Sequence, residues 1–162
     1  MKLFLATAAL LLTAIAHATP KLGDYSEFQF TMSQAGQSMV GSYILAIVSD
    51  ANDGTVGLST TIHFDGQADQ YQETKTEKTA LLNDQTINDV LTNCAAYGGV
   101  IEQVAVPAGI LNSCKMPTQD ETGKIVGSMW TSTVPFGIAK QVQTSPEGVT
   151  YTLELKKYIV GQ

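Results

Sequence analysis

Asn52 to Phe64 reads NDGTVGLSTTIHF, and its pattern decides the fold class. Asn52-Asp53-Gly54 is a hairpin signal, because Asn, Asp and Gly tolerate the positive φ of a primed turn. Behind it, Val56, Leu58, Thr60, Ile62 and Phe64 fall on one parity, and Thr55, Ser59, Thr61 and His63 on the other. Period-two alternation of this kind is the mark of a half-buried strand.

The same pattern extends both ways. Upstream, Ser26, Phe28, Phe30 and Met32 oppose Tyr25, Glu27, Gln29 and Thr31, and Gln34-Ala35-Gly36-Gln37 forms a turn. Met39 to Val48 is apolar on both parities, which predicts a central strand covered on both faces. Downstream, Gln70 to Thr79 alternates in charge and reads as a solvated edge whose Lys and Glu discourage edge-to-edge pairing. Further strands are expected over Val100–Val106, Ile110–Met116, Lys124–Ser132, Ile138–Val142 and Val149–Leu155.

One stretch changes period. Ile87, Val90, Leu91 and Cys94 sit at i, i+3, i+4 and i+7, one stripe of a helix. Asn83 or Asp84 can cap its start, and Gly98-Gly99 closes its end. The expected fold is therefore α+β and mostly β: a curled antiparallel sheet of about eight or nine strands, an unclosed barrel, packed on one helix.

The start of the chain reads as an address. Met1-Lys2 is followed by an apolar run, Leu3–Ala16, and by Ala16-His17-Ala18 in the small-x-small pattern of a signal-peptidase site. The run spans about 21 Å as a helix, short of a hydrocarbon core of about 30 Å. The expectation is a signal peptide over 1–18 and one β-rich domain over 19–162, exported to the periplasm or the extracellular space. No transmembrane segment is expected after cleavage. Removing the leader takes Lys2 with it and leaves a net charge of −7. Cys94 and Cys114, the two cysteines, have no other partner, and in an oxidising compartment they are expected to pair.

All nine basic residues are Lys, against 15 acids, with a pI near 4.7. That balance excludes a nucleic-acid binder, which needs a basic patch and bidentate Arg forks. No catalytic, metal or cofactor constellation emerges. The mature chain holds one His, His63, on a polar strand face, with no G-x-S-x-G motif. Asp50, Asn52 and Asp53 miss the calcium-loop spacing: Gly54 falls at position five and Thr61 at position twelve. Asp69, Glu73 and Glu77 are interleaved with Lys75 and Lys78, as on a solvated edge.

Val106-Pro107-Ala108-Gly109-Ile110, Cys114-Lys115-Met116, Trp130, Val134-Pro135-Phe136-Gly137-Ile138-Ala139-Lys140 and Thr152-Leu153-Glu154-Leu155 carry a resemblance. Over roughly Val100–Tyr158 the chain resembles exported bacterial β-rich proteins of the lipoprotein-carrier (LolA/LolB-like) superfamily. The resemblance implies a sheet curled around a helix and a concave apolar surface that holds an acyl chain. The chain departs from the carriers in having no Arg, the residue type that helps hold their closed state. The expected function is thus non-enzymatic: binding of a lipid or other apolar ligand in a sheet concavity, with Trp130 and Phe136 near its rim. The alternative is a structural or interaction module of the cell envelope with a self-filled core.

Overall fold

The computed structural model describes residues 20–162, so the expected signal peptide and its cleavage site lie outside the described residues. Nine strands form one antiparallel sheet: β1 (Tyr25–Gln34), β2 (Gln37–Asp50), β3 (Thr55–Phe64), β4 (Gln70–Glu77), β5 (Val100–Val106), β6 (Gly109–Gln119), β7 (Ile125–Thr131), β8 (Ile138–Thr144) and β9 (Thr150–Ile159). Their order is β4-β3-β2-β1-β9-β8-β7-β6-β5. Two meanders, β1–β4 and β5–β9, are therefore joined through the β1–β9 pair, Tyr25 opposite Ile159 and Ser33 opposite Thr150. The expected sheet of eight or nine strands, unclosed and accompanied by one helix, is what forms.

Bulges bend this sheet. The register slips at Glu27/Phe28 against β9 and at Trp130/Thr131 against β8. An extra residue in one strand increases the local twist and curls the sheet. The β5–β6 hairpin turns far enough that Ala108 N–H donates to the Leu155 carbonyl at 2.9 Å, although β5 is four strands from β9. Phe28, Val134 and Leu155 make one core cluster; Val104, Trp130 and Ala139 make a second, and Val106 and Leu111 pack against both.

Helix α1 (Asp84–Thr92) connects the two meanders with a following 3₁₀ turn, Cys94–Tyr97. Asn83 is the cap: its side chain accepts from Thr86 N–H at 2.8 Å. Of the predicted stripe, Ile87 and Cys94 are buried, whereas Val90 and Leu91 are half-buried. The α-helix stops at Thr92, so the stripe is split between a short helix and a tighter turn. Gly98, at φ 73°, closes that turn in the left-handed conformation that a side chain would disfavour. A nine-residue helix has little stability of its own. Asn83→Ala should therefore cost about 1 kcal/mol, the usual loss of an N-cap. Urea unfolding followed by circular dichroism measures it; an unchanged midpoint would show that packing alone fixes the helix start.

The reading of β2 as covered on both faces is corrected. Tyr43, Leu45 and Ile47 face the core, but Val40 and Val48 are 51% and 43% exposed. On that second face β1 supplies Thr31, Glu27 and Tyr25 opposite Val40, Ile44 and Ala46. Among the described residues no second layer lies over it; polar neighbours such as Glu27, paired with Lys156 at 2.7 Å, shield it instead. A doubly apolar strand in an antiparallel sheet need not be sandwiched, because flanking side chains can cover short apolar ones.

Candidate functional site

The register of β1, β2, β3 and β9 assembles a row of aromatic rings. Phe30 lies opposite Gly41 of β2 on one side and Leu153 of β9 on the other, and Gly41 in turn lies opposite Phe64 of β3. The Phe30 and Phe64 rings meet edge to face at 5.9 Å, and Phe30 stacks with Tyr151 at 6.3 Å. Aromatic pairs favour these offsets. Gly41 makes the row possible: a Cβ there would stand 2.6 Å from the Phe64 ring and 2.4 Å from the His63 carbonyl. Met32 faces Met39 and Tyr151 beyond the row. Phe30, Met32, Met39 and Phe64 are half-buried and Tyr151 is 37% exposed. Helix α1 packs elsewhere, on β6 and β7.

Two hollows flank this architecture. One, of about 200 Å³, lies where Pro20 and Asp24, the start of α1 and the Val134–Phe136 segment meet. Phe136 lines it with φ 63°, a strained backbone for a bulky residue, held beside a Pro135 carbonyl that accepts from Ser26 Oγ at 3.0 Å. The other, of about 230 Å³, is bounded by Met32, Met39 and Val149 at the end of the aromatic row.

Trp130, grouped with Phe136 on sequence grounds, lines neither hollow. It is 9% exposed in the second core cluster. Its Nε1–H donates to Glu102 Oε1 at 2.6 Å. The ammonium groups of Lys115 and Lys140 lie 5.0 Å and 5.7 Å from the ring centroid, and Lys140 also binds Glu154 at 2.7 Å. The lysine stems cover the ring while their charges remain near solvent.

Several ionisable groups are engaged in surface pairs. His63 Nδ1 is 2.6 Å from Asp69, whose hydrogen bond and charge raise the imidazole above its ordinary pKa; Asp65 is 3.6 Å from the other nitrogen. Asp53 is lowered to about 2 by hydrogen bonds from the Thr55 hydroxyl and from Lys75. Asp50 is lowered by Lys78, 2.7 Å away. Both turn carboxylates are thus matched to lysines. Among the described residues no cluster of three or more His, Cys, Asp or Glu converges to hold a metal ion. Cys94 and Cys114 are joined in a disulfide with Cα atoms 5.7 Å apart, within the bridging range. Among the described residues no helix is long and apolar enough to cross a membrane.

No protein family and no curated protein sequence matches the chain. Among solved structures, it is similar to MucB in the crystal structure of MucB in complex with MucA(peri), with a TM-score of 0.45 and 11% identity. The match covers 86% of this chain and 51% of that one, so the chain spans about half the length of the structure it matches.

Proposed function

We propose that this is an exported, non-enzymatic protein of the cell envelope that works by binding, and that the Phe64–Phe30–Tyr151 row takes an apolar ligand of the acyl-chain class. The carrying observation is that these rings, with Met32 and Met39, form a connected apolar surface that α1 leaves uncovered. Methionine beside aromatic rings makes an adaptable apolar contact surface. Export accords with the leader-like start and with a disulfide, which persists in an oxidising compartment. In this reading Trp130 serves the core, and Phe136 borders a hollow on another part of the molecule.

Palmitate carrying a fluorescent anthroyloxy group tests it. Saturable emission enhancement is expected, and Phe30→Ala should weaken binding by more than about 1 kcal/mol, as loss of a contact aromatic does. A probe that never saturates would sink the ligand reading.

One observation favours the second reading, an interaction module without a small ligand. The β5–β9 half is filled by Val104, Trp130 and Ala139, and the two hollows fall below the roughly 300–1,000 Å³ usual for ligand pockets. A clean apo mass for protein taken from its native envelope, together with a silent probe, would establish that reading in place of the first.

A further inference from the structure

The two edges of the sheet are built differently. β4 carries Glu73, Lys75 and Glu77 and is exposed almost throughout. Such an edge resists pairing, because an incoming strand would have to accommodate and desolvate its charges. β5, at the opposite edge, reads Val-Ile-Glu-Gln-Val-Ala-Val. It has no Lys, no Pro and no bulge against β6. Its one charge, Glu102, is turned to Trp130. Outside the β5–β6 ladder, no backbone hydrogen bond engages residues 100–106 among the described residues. The hairpin tip is tied down by the Ala108–Leu155 bond, which leaves Ile101–Ala105 as the free stretch.

The side chains around this edge match themselves. Ile101, Gln103 and Ala105 share a face with Cys114, Asn112 and Ile110, their partners on β6. Ile101 and Ile110 are 55% and 71% exposed, two apolar side chains on the free face of this edge. Gln103 Nε2 lies 3.4 Å from Asn112 Oδ1 between them.

We propose that β5 is a self-association edge, pairing antiparallel with β5 of a second copy about a two-fold axis through Gln103. In that register each Ile101 lies opposite the second copy's Ala105 and in line with its Ile110. Two rows of Ile–Ala–Ile then flank a polar row of Asn112, Gln103 and their symmetry mates. Glu102 lies opposite Val104, so no like charges meet. Moving the axis one residue towards Glu102 would set that charge against itself, and moving it towards Val104 would set Ile101 opposite Pro107, which has no backbone N–H to give. A two-fold interface needs this kind of self-complementary patch. The inference is independent of the aromatic row, which lies on other strands.

Sedimentation velocity of the disulfide-intact mature protein, over a wide concentration range, tests it. Wild type is expected to reach the mass of two chains. Gln103→Lys sets two ammonium groups against each other at the axis and should raise the dissociation constant by at least about tenfold. Gln103→Glu should do the same. An equal mixture of the two variants should associate again, because opposite charges then meet across the axis. Unchanged urea midpoints for both variants, at a concentration low enough that wild type is monomeric, would exclude a folding defect. A wild type that stays monomeric, a Gln103→Lys variant that still dimerises, or a mixture that fails to associate would each overturn the proposal.

Discussion

Trp130→Ala is expected to lower the unfolding free energy by about 3–5 kcal/mol, the range for emptying a buried large aromatic site. The ring is only 9% exposed, and it supplies the largest side chain of the cluster with Val104 and Ala139. Its removal opens a void where β7, β5 and β8 meet and also leaves Glu102 without its indole donor. A partly buried carboxylate that loses a charge-assisted bond adds to the cost. Trp130→Phe keeps one aromatic ring in the site while removing the donor and part of the volume, and its loss should be smaller. Denaturant unfolding gives both numbers. A Trp130→Ala protein of near-normal stability that no longer binds the acyl probe would return Trp130 to the rim of a ligand site.

The second large effect belongs to the disulfide. Cys94 and Cys114 enclose a loop with a sequence separation of 20. Constraining the unfolded chain by a loop of that size is worth roughly 3 kcal/mol in the chain-entropy model. The Cys94→Ala/Cys114→Ala double variant should therefore lose about 2–4 kcal/mol without leaving an unpaired thiol. The effect is local in origin. The bridge holds the 3₁₀ turn after α1 to β6, and Gly99 lies so close that a Cβ there would meet both sulfurs within 2.7–2.8 Å. Hydrogen exchange should show α1 loosening before the strands. An unchanged midpoint would mean that Ile87 and its neighbours hold the helix by packing alone.

Much of this architecture was legible because one-sided burial imposes period two. Val56, Leu58, Thr60, Ile62 and Phe64 predict β3, and Ser26 to Met32 predict β1, since a slip of one residue would put every apolar group on the wrong face. The α1 stripe is readable for a like local reason, its helical spacing, whereas the cysteine pair is readable because the sequence offers neither cysteine another partner. What alternation does not encode is which apolar face receives a cover. β2 shows this: Ile44 and Ala46 look like core residues but are only half-buried. The site was legible only in part. Phe30 and Phe64 appear as ordinary strand residues, and only the pairing of Gly41 between them reveals the row. The Trp130–Glu102 bond joins positions 28 residues apart through two strand pairings, which no local pattern announces. The left-handed backbone of Phe136 has no sequence signal either, because that conformation normally selects Gly, Asn or Asp.

The order of strands has a kinetic consequence. β1, among the first residues of the described chain, pairs with β9, its last strand, and this pair lies at the centre of the sheet. A chain that emerges from its N-terminal end, from a ribosome or from a translocation pore, can form the β1–β4 meander early through short hairpins. The inner side of β1 stays unzipped until residues 150–159 arrive, and loop-closure entropy delays a contact of such separation. Cooperative folding of this sheet is therefore deferred until β9 has been delivered. For the exported protein proposed above, that delay would keep the sheet from assembling before its final strand has been threaded across the membrane.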